Sequence, residues 1–221
     1  FIKKLATNNI FNHKQDVCAT FYMLKNLDFE KIFSSIKFPS EALYIIEHLQ
    51  SSGFQAAFAG GCVRDSLLGK IPEDWDIVTS ASPEQIESLF ARTYAIGKAF
   101  GIINVCYKDK VFEVASFRSD GQYIDGRRPE TVQFSTMEED LERRDFTVNA
   151  MLYDPVAKKI YDLHNGIDDL EKKIIRCVGN PQKRFQEDKL RILRAIRFAA
   201  NLNFEIEEET WQALCQESKM I

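Results

Sequence analysis

The spacing of apolar positions changes several times along the chain, and each change marks an element. From Pro39, the residues Ala42, Leu43, Ile46 and Leu49 recur at helical spacing up to Gly53, which predicts a helix opened by Pro39-Ser40-Glu41. A short apolar run over 54–59 reads as a strand. Gly60-Gly61 then turns into a short helix over 63–68, and 75–78 reads as a second strand. Ser82-Pro83-Glu84 opens another helix, with Ser82 as its cap. Alternation over 102–107 and 111–117, around Lys108-Asp109-Lys110, predicts a hairpin. The polar stretch 118–130 contains glycines and a proline and reads as a long loop, of the kind that often carries function. Strands over 131–134, 150–153 and 159–162 and a helix over 137–143 follow. Beyond about Arg176 the pattern is wholly helical, over 181–187, 189–201 and 207–217. The expected fold class is α+β: a mixed sheet flanked by helices over 38–176, then the start of an all-α region over 177–221. Residues 1–37 give no sharp signal and are read as an N-terminal extension.

With 221 residues, 45% of them apolar and 17 of them Phe, the chain can bury a substantial core. Its net charge of −4 means that attraction to nucleic acid must come from a local patch. Cys18, Cys62, Cys106, Cys177 and Cys215 are scattered and read as buried free thiols in a reducing compartment. His13, His48 and His164 do not cluster, and each is read as structural. No apolar run reaches the length of a membrane span. Residues 1–15 hold lysines but no arginine or acidic residue, and are read as an ordinary extension rather than an organelle presequence. The expected location is the cytoplasm. The chain starts at Phe1 and stops at Ile221 in an apparent helix, as a piece of a longer protein would.

Asp74-Trp75-Asp76 carries the sharpest chemical signal. Side chains two apart on extended backbone share a face, so Asp74 and Asp76 project together and Trp75 turns to the core. Two adjacent carboxylates raise each other's pKa, and a divalent cation removes that repulsion. Gly60-Gly61, ahead of a short helix, supplies backbone N–H groups for an anion. Glu113 sits mid-strand and is either a third carboxylate of this site or an exposed strand residue. Arg143-Arg144-Asp145 is either a charged helix end or a ribose and phosphate contact. Asp188, Arg191, Arg194 and Arg197 recur every third residue and drift round one side of a helix. Leu190, Leu193, Ile196 and Ala200 are the expected buried stripe beside them. The polar stripe is either a solvated face with an Asp188–Arg191 pair or a nucleotide contact, because Asp accepts and Arg donates in fixed geometry.

Together these segments closely resemble the class II tRNA nucleotidyltransferase/poly(A) polymerase family. Its motif A is similar to Gly60-Gly61-Cys62-Val63-Arg64-Asp65 through Asp74-Trp75-Asp76. Its motif B resembles Arg143-Arg144-Asp145-Phe146-Thr147-Val148-Asn149-Ala150. The hinge motif resembles Asp162-Leu163-His164-Asn165-Gly166 with Ile175-Arg176, and the template motif Glu187-Asp188-Lys189-Leu190-Arg191, continued by Arg194, Arg197 and Phe198. The resemblance covers about residues 40–215. It implies a polymerase-beta-like nucleotidyltransferase head and a truncated helical neck. It implies a two-metal Mg²⁺ site on Asp74 and Asp76, with Glu113 as the adjoining-strand carboxylate. Gly61 and Arg64 would meet the incoming triphosphate, and Arg144 and Asp145 the ribose. Asp188 and Arg191 would select C or A directly, supported by Arg194 and Arg197. The implied partners are CTP, ATP and the 3′ end of a tRNA or other RNA, with no membrane.

The favoured activity is CCA addition to tRNA, because Tyr123-Ile124-Asp125-Gly126-Arg127-Arg128-Pro129 resembles the loop such enzymes use in switching from C to A. The alternatives are a bacterial poly(A) polymerase, a CC-only or A-only enzyme, and a non-catalytic RNA-binding module. Intact Asp74, Asp76, Arg144 and Asp145 argue against the last.

Overall fold

The structure, a computed structural model, describes residues 32–33, 36–121 and 131–220. Helix α1 (Ser40–Ser51) buries Ala42, Ile45, Ile46 and Leu49, an apolar stripe at helical spacing. Strand β1 (Ala56–Ala59), helix α2 (Gly61–Leu67), strand β2 (Ile77–Thr79) and helix α3 (Pro83–Leu89) follow. The Ser82 hydroxyl accepts from the Gln85 N–H and the Gln85 side chain answers the Ser82 N–H, a capping box. Next come β3 (Thr93–Tyr94), β4 (Ile102–Tyr107) and β5 (Lys110–Ser116), then the short pair β6 (Arg118–Asp120) and β7 (Val132–Phe134). Helix α4 (Met137–Glu142), strands β8 (Met151–Asp154) and β9 (Lys159–Asp162) and helix α5 (Gly166–Lys172) complete the α/β part. Strand β10 (Ile174–Ile175), helices α6 (Pro181–Glu187) and α7 (Leu190–Leu202), strand β11 (Glu205–Ile206) and helix α8 (Glu208–Glu217) end the described chain.

Seven strands form one sheet in the order β3-β4-β5-β2-β1-β8-β9. The β2–β5 pair is parallel and the others are antiparallel, so the sheet is mixed, as expected. Alternation along the strands divides the interior between its two faces. Phe58, Ile77, Ile103, Val105, Phe112 and Val114 point to one face, with α1 packed over it. Ala57, Ala59, Val78 and Leu152 point to the other, under Met137 and Leu141 of α4.

Several expectations need correction. β2 begins at Ile77, so Asp74-Trp75-Asp76 is an extended approach to the strand rather than part of it. The facing argument still holds. Trp75 turns to the first face against Phe58 and Phe38, at ring separations of 4.9 and 5.3 Å. Residues 118–120, expected in a loop, pair with β7, and the segment Tyr123 to Pro129 lies outside the described residues. The chain beyond Arg176 is not wholly helical, because Glu205 and Ile206 pair in parallel with Ile174 and Ile175. This small ladder ties the helical part to the end of the α/β part. α5 also escaped the sequence reading. Its first turn is held by the Asp162 carboxylate, which accepts from the N–H groups of Gly166 and Ile167 at 2.8 and 2.9 Å. Any side chain at Gly166 would run into the Thr147 carbonyl.

The largest correction concerns α7. It buries Arg191, Ile192, Ala195 and Ala199, while Leu193 is 54% exposed and Leu190 lies largely open. Of the expected stripe only Ile196 packs against the core, and then partly; Leu190, Leu193 and Ala200 lie on the open side. Small Ala195 and Ala199 permit a close approach to β10 and β11, and the charge of Arg191 is matched at its buried site. Of the cysteines, Cys62 and Cys177 are buried but Cys106 is half-buried and Cys215 exposed; Cys18 and His13 lie outside the described residues. Burial pushes the Cys62 and Cys177 thiols up to about 12, so both are inert at neutral pH. Among the described residues no helix is long and apolar enough to cross a membrane.

Candidate active site

A cleft of about 930 Å³ opens between the second face of the sheet and α7. Gly61, Arg64, Asp74, Asp76, Arg144, Asp145, Asp188, Arg191, Arg194 and Arg197 all line it. Residues more than 120 positions apart in sequence thus reach one cavity. Glu113 is exposed on β5 and stands outside the lining. It nevertheless lies beside the aspartates. In the parallel β2–β5 ladder Ile77 pairs with Val114, so one residue earlier Asp76 comes alongside Glu113 on the same face.

The aspartate side of the cleft concentrates like charge. Burial raises the Asp76 carboxyl above the ordinary carboxylate range; the charges of Glu113 and Asp74 add to this, and only Arg144 opposes. Among the described residues, no three His, Cys, Asp or Glu side chains converge as a ready cage for a metal. Two crowded carboxylates, the Asp76 group raised by burial and by its charged neighbours, nevertheless fit Mg²⁺, which uses one or two carboxylates and takes its other ligands from water and substrate phosphates.

The glycine turn is more constrained than the sequence suggested. Gly60 has φ of 68° and its N–H is spent on the Met151 carbonyl at 3.1 Å, so it is not a free anion donor. A Cβ there would also meet Arg144 Nη1 at 3.1 Å, so glycine provides both the turn and room for that arginine. The first turn of α2, from Gly61, remains the part of this segment open to an anion.

Most of the arginine side is countercharged. Arg64 forks onto Asp65 through Nε and Nη2, each at 2.9 Å, and donates to Asn149 Oδ1 at 2.6 Å. Arg194 donates to Asp145 Oδ2 at 2.6 Å, tying α7 to the segment after α4. The other Asp145 oxygen accepts from the Phe146 N–H at 2.8 Å and the Asn149 amide at 3.3 Å. Arg191 Nη1 donates to Glu187 at 2.7 Å and to the Arg184 carbonyl at 3.1 Å, and Nη2 reaches the Arg143 carbonyl at 3.2 Å. Asp188 Oδ1 accepts from the Leu190 N–H at 2.9 Å and so starts α7. The guanidiniums of Arg64, Arg194 and Arg197 lie 5.2–5.4 Å from the ring of Phe198, close enough for cation–π attraction. Phe198 in turn meets Phe146 edge-on at 5.8 Å.

Two important residues went unread. Asp140 is 0% exposed and accepts from Arg143 at 2.7 Å and from Arg144 at 3.0 Å. Burial alone would raise its carboxyl; the two guanidiniums outweigh burial and hold it below the ordinary range. Its placement three and four residues before the arginines is a readable helical signal, hidden by the run of acidic neighbours. Asn149 joins Arg64 to Asp145, a role that only the tertiary structure reveals. Phe100, Ile102, Arg118 and Asp120 form a further stretch of the lining. His48 and His164 do not line the cleft.

Known proteins share this arrangement of chain. A protein named CCA-adding enzyme from Staphylococcus aureus (strain MRSA252) is 46% identical over 175 residues, which are 79% of this chain and 44% of that protein. The crystal structure of Bacillus stearothermophilus CCA-adding enzyme in complex with CTP matches with a TM-score of 0.77 at 41% identity, covering 84% of this chain and 45% of that one. A crystal structure of tRNA nucleotidyltransferase complexed with a primer tRNA and an incoming ATP analog matches at 0.65 and 32% identity, over 80% of this chain and 50% of that one. The chain therefore spans less than half the length of the curated relatives it matches. The sequence model for the Poly A polymerase head domain matches residues 56–176, more than half of the 221, and takes in the whole seven-stranded sheet with both aspartates and Arg144-Asp145; the chain belongs to that family.

Proposed function

We propose that the protein is a template-independent RNA nucleotidyltransferase, which completes tRNA 3′ ends with CCA from CTP and ATP and releases pyrophosphate. The observation that carries this reading is the single cleft in which Asp74 and Asp76 face Asp188, Arg191 and the α7 arginines. Residues 38–176 would act as the nucleotidyltransferase head and 177–221 as the start of the neck, in the cytoplasm.

The side chains divide the work. Gly61 and Arg64 would receive the triphosphate, with Arg197 adding charge. Arg144 donates to, and Asp145 accepts from, the ribose hydroxyls, which favours a ribonucleotide. Arg191 is held in one orientation by three hydrogen bonds, as reading a base edge requires; beside it, Asp188 supplies the acceptor. Asp74 and Asp76, assisted by Glu113, would hold two Mg²⁺ ions, which when bound lower the pKa of the RNA 3′-hydroxyl and neutralise the departing pyrophosphate. The 3′-hydroxyl attacks the α-phosphorus; the new phosphodiester bond forms as the bond to pyrophosphate breaks. The protein positions and neutralises, with no covalent enzyme intermediate.

The test uses the full-length protein, Mg²⁺ and a tRNA transcript ending at the discriminator base, with labelled CTP alone, ATP alone, then both. Two C residues and one A, then arrest, are expected on a sequencing gel. Long A tails from ATP alone would instead make it a poly(A) polymerase. Activity retained in Asp76→Ala would remove the catalytic role assigned to the aspartates.

A further inference from the structure

We infer that the uncovered second face of β3, β4 and β5 receives the single-stranded 3′ end of the RNA acceptor. The inference rests on the nucleotidyltransferase reading above. In-line displacement places the attacking and leaving oxygens on opposite sides of the reacting phosphorus. The cleft beneath α7 is the nucleotide's side of Asp74 and Asp76. The RNA must therefore arrive from the other side, and there the structure offers an open sheet.

Residues paired across a ladder share a face, so the registers define the surface. Asp76 lies beside Glu113, Glu113 pairs with Asn104 on β4, and Asn104 pairs with Tyr94 on β3. These four residues form one row across the sheet. At about 4.8 Å per strand, the row runs roughly 14 Å from Asp76 to Tyr94. Val111 and Cys106, alternate neighbours of Glu113 and Asn104, extend the same face. α4 shields this face over β1, β2 and β8. Along the row, Tyr94 is 45% and Val111 55% exposed, and Glu113 is open as well.

The chemistry of the row suits single-stranded RNA. Arg92 donates to the Tyr94 hydroxyl at 3.4 Å, and its carbonyl accepts from the Cys106 N–H at 2.9 Å. Its ionic partner Asp109, 3.9 Å away, is almost fully exposed, so solvent screens that pair and a phosphate can displace it. An exposed aromatic ring on a bare sheet, with an arginine beside it, stacks a base and takes a backbone phosphate. Apolar Val111 and Tyr94 are separated by polar Asn104 and Glu113, which suits spaced bases better than a continuous apolar protein partner. The row is continuous with the catalytic aspartates, so a strand lying along it delivers its 3′-hydroxyl to them.

The test measures binding of a fluorescein-labelled single-stranded RNA ending in CC by anisotropy, and steady-state extension of a tRNA acceptor, with the full-length protein. Tyr94→Ala and Arg92→Ala are each expected to weaken RNA binding about tenfold and to raise KM for the RNA by a similar factor, with KM for CTP unchanged. Arg92→Ala should also lower the salt dependence by about one phosphate contact. Tyr94→Phe, which keeps the ring, retains binding, and Val156→Ala, exposed at the opposite sheet edge, changes nothing. Unchanged RNA affinity in both alanine variants, or an equal rise in KM for CTP, overturns the surface. If the wild type adds no nucleotide, the nucleotidyltransferase reading fails, and anisotropy still decides the surface: RNA binding that is absent, or that survives Tyr94→Ala, overturns it.

Discussion

The two sides of the cleft are built on opposite electrostatic plans. On the arginine side four of the five arginines named above are ion-paired, Arg64 with Asp65, Arg144 with Asp140, Arg191 with Glu187 and Arg194 with Asp145, and Arg197 lies against the Phe198 ring. On the aspartate side Asp76 gathers Asp74 and Glu113 around it, with Arg144 the one opposing charge. The first side is preorganised by the fold and holds its geometry without a ligand. The second stores repulsion, which Arg144 offsets only in part and a bound cation would relieve. A positioning surface and the proposed metal surface should therefore respond differently to mutation, and the difference can be measured.

The largest expected effect is on activity at the aspartate side. Asp76→Ala should reduce nucleotide addition on the order of 10³-fold, since metal-based charge stabilisation contributes several kcal/mol to the transition state. The same change should leave the metal-free protein as stable as before or more so, because it removes a carboxylate whose ionisation is disfavoured. Single-turnover extension and thermal unfolding in EDTA read the two effects separately. A marked fall in melting temperature would erase the contrast between the two sides.

Asp140→Asn should show the reverse balance. Removing one charge of a buried network strands its partners, at a cost of about 3–5 kcal/mol, here nearer the lower figure because both arginines are partly exposed. Urea unfolding measures it. The linkage also has a definite sign. The Asp140 carboxyl is depressed, so its contribution is present above the ordinary carboxylate pKa and is lost as pH falls through the lowered value. Asp140→Asn should flatten that acidic part of the stability profile.

Arg191→Ala probes the arginine side at the residue proposed to read the base. Bidentate arginine contacts to a base edge discriminate by about 1–3 kcal/mol, so preference for CTP and ATP over UTP and GTP should fall by roughly 5–150-fold. Competition assays with all four nucleotides measure this. Preference unchanged in the variant would leave Arg191 as a brace between α6, α7 and the Arg143 carbonyl.

How much of this was readable follows the same divide. The aspartates, the Arg144-Asp145 step and the polar stripe of α7 were legible because their chemistry is local, set by spacing along one element. The countercharges were less so. Asp140 left a signal at helical spacing within an acidic run, whereas Asn149 acts between residues that only the fold brings together. α7 misled the apolar pattern, because a helix is buried by the surface it meets rather than by its most hydrophobic arc. Here Glu187 and two carbonyls neutralise Arg191, so a charged residue takes the buried position and Leu193 is left exposed. Glu113 remained two-valued for a related reason: what a strand carboxylate stands beside depends on the neighbouring strand, and the β2–β5 register puts Asp76 there.

Glu113 also gives the finest test of the contrast. Its charge helps to raise the Asp76 carboxyl, after burial and ahead of Asp74. If Asp76 holds a cation as proposed, a proton on it competes with the ion, and metal binding should weaken as pH falls through that raised value. Glu113→Gln removes the charge without removing bulk, and the Asp76 carboxyl should then titrate at lower pH. The midpoint of Mn²⁺ binding against pH should move down. If Glu113 also assists in holding the ions, maximal affinity at neutral pH should fall in the same variant; these two readouts are independent. A lower midpoint with unchanged plateau makes Glu113 an electrostatic neighbour of Asp76, whereas a lower midpoint with reduced plateau makes it a ligand. A midpoint that stays fixed would mean that the Glu113 charge does not set the Asp76 carboxyl, and the aspartate side would then be governed by burial more than by crowding from β5.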